Sequence, residues 1–302
     1  MKPIRVAPLL AAMAACLALA MPAQAQDPAK ALGGLLRSLN PGALLNQAPA
    51  PQAATAGDLL QLLSESVENI DEPREIEIGR QLASVLLGSK PLHRDLALQR
   101  YVNRLGRWLS LQSARPQLPW TFAVLDDAGF NAFAAPGGYV FITKGLVDRV
   151  DEAELSGILA HEISHVTEKH HLRALSAKAR SGLATRLIAS ELRQDVAGAI
   201  SGQMLALGRD LYASGLDRAD EFDADRHGVT LATRSGFDPY GLPSVLQHLR
   251  TATPQDPVFA WTLGTHPPAQ QRLEQLELAM GSRLDAFSGQ PVVSVGQRLR
   301  SR

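Results

Sequence analysis

Two histidines and a glutamate stand close together in the run His161-Glu162-Ile163-Ser164-His165. On a helix, residues at positions i and i+4 lie on one face, so His161 and His165 can offer two imidazole nitrogens to one metal ion. The spacing H-E-x-x-H is typical of zinc sites in which the intervening glutamate takes a proton from the attacking water. We therefore predict one Zn²⁺ per chain, bound by His161 and His165, with Glu162 as the general base.

The residues before the motif indicate a helix that positions it. Asp151 and Glu154 have the spacing of a capping box, a pattern with which helices begin. The alternative is an exposed helix on which two histidines happen to lie one turn apart. The apolar run 156–160 before the motif does not fit that alternative. Apolar residues also recur at helical spacing and form one face: Val150, Leu155, Ile158, Leu159, Ile163 and Val166.

A third protein ligand is expected, because a catalytic zinc commonly has three of them and one open position. His171 lies at the spacing of the metzincin motif, but that motif turns the chain at a glycine, and this sequence has Glu168 there. Glutamate favours a continued helix, so we expect the helix to run on toward Leu175. His171 would then point away from the metal, and His170 and His171 would be partly exposed.

Glu221 is the better candidate for the third ligand. It forms an E-x-x-x-D pair with Asp225 on one face of a later predicted helix. One carboxylate of such a pair can bind the metal, while the other accepts the free N–H of a ligand histidine and fixes its tautomer. The alternative is a solvated acidic face, which Asp220 and Asp223 would share.

The combined motifs resemble those of the M48 family of metallopeptidases. The signature of that family joins H-E-x-x-H to a later E-x-x-x-D, here at 161–165 and 221–225. This resemblance implies a zincin-like domain over about 55–280, with Glu221 as the third zinc ligand and Glu162 as the base. It also takes in three further stretches: Asn131-Ala132-Phe133-Ala134, Pro136-Gly137-Gly138, and Thr265-His266-Pro267-Pro268 with Arg272.

His266 lies on a predicted loop directly before a helix whose first turn carries proline. Three roles are open for this histidine. It can be a packing residue, a donor to the oxyanion that forms during peptide hydrolysis, or a ligand that fills the open zinc position and keeps the enzyme latent.

The surrounding elements predict a mostly helical α+β fold. Three short apolar stretches, 120–125, 131–134 and 138–143, directly precede the metal helix, and we expect them to form a small antiparallel sheet. Strand 138–143 is also our candidate edge for aligning an extended substrate, with ordinary sheet packing as the alternative. Apolar residues at helical spacing predict further helices at 57–67, 73–86, 96–109, 183–207, 216–233, 239–250 and 268–280.

Residues 1–25 have the parts of a secretory signal peptide. Lys2 and Arg5 supply a positive start, and an apolar run at 6–21 follows that is short for a membrane span. Ala23-Gln24-Ala25 then provides a small-x-small cleavage site. We therefore expect export to the periplasm and cleavage after Ala25.

The mature chain is expected to contain no cysteine, since Cys16 is the single cysteine and lies in the signal peptide. Lipidation of Cys16 is the alternative. We expect residues 26–52, rich in Ala, Pro and Gly, to be a flexible linker. Residues 53–282 would form the catalytic domain, and residues 283–302 a weakly ordered tail.

The composition narrows the function classes. The chain is 45% hydrophobic and 20% charged, which is ordinary for a globular protein, and its formal net charge is zero. The absence of a basic excess gives no reason to expect nucleic acid as a partner.

These features predict a zinc-dependent endopeptidase that hydrolyses unfolded or misassembled proteins of the cell envelope. The resemblance points to the soluble periplasmic branch of the family, with peripheral association with the outer membrane. The sequence does not determine the number of subunits. One protease of that branch carries a C-terminal tetratricopeptide domain; here only the short tail follows the catalytic domain, so an adaptor role based on such repeats is not expected. The alternatives are a periplasmic chaperone or assembly factor with a latent or structural zinc site, and an aminopeptidase. Glu162 argues against the first, and no further acidic group stands out to bind the free amine that the second requires.

Overall fold

The computed structural model describes two long stretches of the chain, 70–187 and 213–289, and the single positions 210, 291, 297 and 300. Four predicted segments lie wholly or mostly outside them: the signal peptide 1–25, the linker 26–52, and the helices at 57–67 and 183–207. Among the described residues, no helix has both the length and the apolar character needed to cross a bilayer.

The described part of the chain is mostly helical, with one small sheet, as predicted. Each of the further helices predicted within it, apart from the helix that carries the H-E-x-x-H motif, is present with bounds shifted by a few residues. The helices are α1 (Glu72–Ser89), α2 (Leu96–Ser110), α3 (Lys144–Val147), α4 (Glu152–Thr167), α5 (His170–Leu187), α6 (Arg218–Arg234), α7 (Gly241–Thr251), α8 (Ala260–Thr265) and α9 (Ala269–Met280).

The sheet contains β1 (Thr121–Leu125), β2 (Ala132–Ala135) and β3 (Tyr139–Thr143) in the order β1-β3-β2. β2 and β3 form an antiparallel hairpin around Gly137 and Gly138, whose φ angles of 75° and 100° suit glycine. β1 pairs with the other side of β3 in parallel, so the prediction of a fully antiparallel sheet was wrong. β2 runs in the direction opposite to β1, and the hairpin after β2 reverses the chain again. β3 therefore runs in the same direction as β1.

The position of β3 also overturns the prediction that it aligns substrate. β3 lies between β1 and β2, and both of its hydrogen-bonding sides are occupied by these neighbours. An added strand needs an exposed edge of a sheet. Ordinary sheet packing, the alternative considered for this strand, is what the structure shows.

Helix α4 carries the H-E-x-x-H motif and lies in the centre of the core. Its start is fixed by the predicted capping box, in which Asp151 accepts the Glu154 N–H at 2.8 Å and Glu154 accepts the Asp151 N–H at 3.0 Å. The helix packs against α2, α6, α7 and β2, and its residues from Glu154 to Val166 are buried. The motif therefore stands on a helix that is held on several sides.

The predicted continuation of α4 through His171 is wrong. α4 ends at Thr167, and Lys169 takes a left-handed conformation with φ of 56° before α5 begins at His170. A left-handed residue is typical of helix ends, although glycine or asparagine usually occupies it. The expected turn signal was a glycine, and a lysine supplies the turn instead.

The first part of the predicted weakly ordered tail belongs to the fold. Asp285–Phe287 form a short 3₁₀ helix, and Leu284 packs against the main core. The N–H of Gly289 donates to the Asp238 carboxylate at 2.9 Å. Ordered contacts therefore continue past the predicted boundary at residue 282.

The backbones of α4 and α6 approach each other closely at Gly228, which gives the first testable prediction. A Cβ at this position would lie 2.9 Å from both Cα and N of His161, atoms that cannot rotate away. We expect Gly228→Ala to push the two helices apart and to lower the free energy of unfolding by about 1–3 kcal/mol. Urea denaturation of the metal-free protein measures this effect.

Gly88→Ala provides the matched control, because Gly88 also lies in a helix but an added Cβ would meet nothing within 4 Å. Alanine there should be neutral or stabilise the protein by up to about 1 kcal/mol. Equal effects of the two substitutions would contradict the close approach of α4 and α6.

Candidate metal centre

Helices α4 and α6 bring together the three residues predicted to bind metal, His161, His165 and Glu221. All three are buried, and their ligand atoms lie within 4.8 Å of one another. Nε2 of His161 is 3.0 Å from Nε2 of His165. The Glu221 carboxylate oxygens are 3.7 Å and 3.6 Å from these two nitrogens. Three ligand atoms therefore face one point between the helices.

This cluster fits a zinc ion in both spacing and chemistry. Tetrahedral ligands of Zn²⁺ lie about 3.3 Å apart, given Zn–N distances of about 2.0–2.1 Å. The observed separations of 3.0, 3.6 and 3.7 Å bracket that spacing. Two imidazoles and one carboxylate are also a donor set of catalytic zinc sites. Within the described ranges this is the one such group of histidine, cysteine and acidic residues.

The charge states of Glu221 and His165 suit a cation. Burial raises the pKa of Glu221, but His266 and His165 outweigh burial and hold that pKa well below its usual value. Burial and the neighbouring His161 lower the pKa of His165 well below its usual value. Glu221 is therefore an anion and His165 a neutral imidazole, the forms that bind metal.

Asp225 orients His161, the first of the two predicted ligand histidines. Its carboxylate accepts the Nδ1–H of His161 at 3.0 Å, which leaves the lone pair of that ring on Nε2, the atom that faces His165. Arg272 donates to both oxygens of Asp225, from Nε at 2.8 Å and from Nη2 at 2.6 Å. Burial raises the pKa of Asp225, but this ion pair outweighs burial and holds the pKa below its usual value. The sequence placed Asp225 beside a ligand histidine and assigned Arg272 no role.

Glu162 lies beside the cluster, on the wall of a cleft, and is 4% exposed. Burial raises the pKa of its carboxyl group, and the nearby His161 offsets this only in part. A carboxyl group whose pKa is moved toward neutrality can both accept and return a proton at physiological pH. The environment of Glu162 therefore suits a general base.

His266 follows α8 and contacts the same site. Its Nδ1 lies 2.7 Å from Oε2 of Glu221, and its ring centroid is 6.3 Å from that of His161. It is not a member of the group of three potential metal ligands. The structure thus brings His266 into contact with the predicted third ligand.

His170 and His171 are buried, at 1% and 9% exposure, and the prediction that they are partly exposed was wrong. The turn at Lys169 folds α5 back toward the site. The ring of His171 lies 5.2 Å from that of His165 and lines the cleft, so His171 does not point away. Burial lowers the pKa of His170 to about 4 and that of His171 to about 3, and both are therefore neutral.

The cleft consists of two adjoining pockets, which share Glu162 and His266. One pocket is lined in part by β2 and by Trp261, which is 42% exposed. The wall of the other is largely apolar: Phe130, Leu146, Ile158, Leu242, Val245, Leu246 and Leu249. Sequence reasoning missed these residues as site residues, because their periodicity is that of ordinary core residues.

Two histidines on one helix, a carboxylate from a second helix and a buried glutamate beside them are typical of a metallopeptidase. The sequence profile of Peptidase family M48 matches residues 94–279, which are more than half of the chain. The chain therefore belongs to peptidase family M48, as the sequence motifs predicted.

Several named proteases are similar to this chain. The Beta-barrel assembly-enhancing protease of Escherichia coli (strain K12) is 31% identical over 233 residues, which are 74% of this chain and 47% of that protein. Mitochondrial metalloendopeptidase OMA1 of Schizosaccharomyces pombe is 29% identical over 178 residues, 59% of this chain and 51% of its own length. A Protease HtpX homolog of Salinibacter ruber is 29% identical over 182 residues, 50% of this chain and 64% of its own length. The chain thus spans about half the length of the first two relatives.

Proposed function

We propose that the protein is a zinc-dependent endopeptidase that cleaves unfolded or misassembled proteins of the cell envelope. The convergence of His161, His165 and Glu221 beside the buried Glu162, inside a cleft, carries this proposal. Membership of a peptidase family and similarity to named proteases support protein hydrolysis.

The residues of the centre divide the chemistry between them. His161, His165 and Glu221 would hold the zinc ion, which when bound lowers the pKa of a water molecule and polarises the scissile carbonyl. Glu162 takes the proton of the attacking water onto its carboxylate and delivers it to the nitrogen of the leaving amine. Asp225 contacts Nδ1 of His161 and so holds the ring in the orientation that leaves Nε2 free to bind the ion.

The cleft supports a polypeptide substrate. Its two pockets meet at Glu162, so a chain that passes through places the residues on either side of the scissile bond in different surroundings. The apolar wall, which includes Leu242, Val245 and Leu246, favours an apolar side chain at one of these positions. Unfolded proteins expose such side chains, whereas folded proteins bury most of them.

We also propose that the protein acts in the periplasm, after removal of residues 1–25, with residues 53–282 as its catalytic domain. The signal peptide pattern supports export. The name of the relative from Escherichia coli refers to β-barrel assembly, which supports substrates at the outer membrane and peripheral association with that membrane.

Digestion of unfolded casein by zinc-loaded protein spanning residues 26–302 tests this function. Mass spectrometry of the products should show cuts at internal peptide bonds, and a zinc chelator should abolish them. Release of single N-terminal residues would indicate an aminopeptidase instead. If the folded, zinc-bound protein cleaves nothing but prevents aggregation of the casein, the chaperone alternative replaces the proposal.

His266 offers a separate prediction, because its ring contacts Glu221 at the cleft. Its place on the wall that both pockets share supports a role in donating to the oxyanion, and removal of one such donor costs about 10²–10³-fold in kcat. We therefore expect His266→Ala to lower kcat by about this factor at saturating zinc. Steady-state cleavage of a peptide, together with the measured zinc content, provides the test. A rise in kcat would support the latent-ligand role instead.

A further inference from the structure

We infer that His170 is a positioning residue for His165, whose ring it holds with Nε2 directed at the metal. This inference rests on the proposed metal centre and extends it to a residue outside both signature motifs. Nδ1 of His170 lies 2.9 Å from Nδ1 of His165, and both side chains are almost completely buried. The two rings meet edge to face, with centroids 5.1 Å apart.

The direction of this hydrogen bond follows from the position of the metal ligands. Two ring nitrogens at hydrogen-bond distance require one donor and one acceptor. Nε2 of His165 faces Nε2 of His161 and the Glu221 carboxylate, so it must carry the lone pair that binds a cation. The proton of His165 is therefore on Nδ1, and Nδ1 of His170 accepts it.

The surroundings of His170 support the tautomer in which its Nδ1 is the acceptor. If Nδ1 accepts, the proton of neutral His170 lies on Nε2. That atom is 3.7 Å from Oδ1 of Asp220, whose negative charge favours an N–H on the facing side of the ring. Arg173 in turn donates to Asp220 at 2.8 Å. Asp220, which the alternative interpretation of the sequence placed on a solvated acidic face, thus lies next to His170, the partner of His165.

The left-handed turn at Lys169 makes this arrangement possible. Without it, α4 would continue and His170 would leave the face that carries His165. The Lys169 ammonium lies 3.6 Å from the carboxylate of Glu75, a fully buried residue that Arg115 also binds at 2.8 Å. Each predicted ligand histidine thus has its own buried hydrogen-bond partner: Asp225 contacts His161, and His170 contacts His165.

Zinc affinity of three variants tests the inference, measured on the full mature chain by competition with a chromophoric chelator. His170→Phe keeps a ring but has no acceptor, and it should weaken zinc binding by about 10–100-fold. His170→Asn places an amide oxygen close to the position of Nδ1, and it should restore most of the lost affinity. His248→Phe makes the same change at a histidine whose side chain is 61% exposed, and it should leave the affinity unchanged.

Nitrogen NMR of ¹⁵N-histidine-labelled protein gives a second readout that does not depend on activity. With zinc bound, the Nδ1–H of His165 should show the chemical shift of a hydrogen-bonded group in the wild type, and His170→Phe should move that shift toward the value of a free N–H. Wild-type affinity in His170→Phe, or equal losses in the Phe and Asn variants, would overturn the inference. If the predicted ranking of affinities holds but casein is not cleaved, the proposed function fails and the positioning role of His170 stands.

Discussion

Glu162→Gln is expected to abolish casein cleavage while zinc remains bound. Glutamine has nearly the same shape as glutamate but cannot take up the proton of the attacking water, and general acid–base catalysis contributes about 10²–10⁴-fold to rates. Glu162 is not part of the group of three potential ligands, so zinc affinity should change little. Cleavage rates of wild type and variant at matched zinc content measure the effect.

Glu168→Gln is the matched control for this experiment. It makes the same chemical change directly after the end of α4. The side chain of Glu168 is 40% exposed, and its carboxylate lies 3.7 Å from Nδ1 of His227, which is also exposed. Its activity should equal that of the wild type. Wild-type activity in Glu162→Gln would place the base elsewhere, and loss of zinc from Glu162→Gln would make Glu162 a ligand.

The motif on α4 and its geometry were predictable because they are local. Helical periodicity alone fixes His161 and His165 on one face, and a capping box fixes the start of the helix. Glu221 was predictable as a candidate because its partner Asp225 shares its helix face. The resemblance to a family then selected Glu221 from the open alternatives.

Features that depend on distant contacts were not predictable in the same way. The turn at Lys169 uses a residue type that rarely adopts a left-handed conformation, and the buried Glu75 that pairs with it is far away in the sequence. The parallel pairing of β1 with β3 likewise depends on the order of strands, which alternation of apolar residues does not encode. The largest errors, on His170, His171 and β3, all follow from these two features.

Arg272 shows how the centre is linked to the stability of the fold. Its guanidinium group makes a bidentate ion pair with Asp225, and both side chains are almost completely buried. Replacement by methionine would leave the Asp225 carboxylate buried with only His161 as a partner. Breaking a buried ion pair from one side costs about 3–5 kcal/mol, and we expect Arg272→Met to lower the free energy of unfolding by this amount. Urea denaturation of the metal-free protein measures it without the contribution of zinc binding.

Two further variants show whether the loss of stability in Arg272→Met comes from the uncompensated charge of Asp225. Adding Asp225→Asn to Arg272→Met removes the buried charge, so the double variant should be more stable than Arg272→Met alone. Arg80→Met breaks an exposed ion pair with Glu77, which should cost at most about 1 kcal/mol. If Arg272→Met were no more damaging than Arg80→Met, the ion pair with Asp225 would not stabilise the fold. Arg272 would then act on the orientation of the metal centre, where it also lies 3.7 Å from Oε2 of Glu221, and its replacement should lower zinc affinity without changing the urea midpoint.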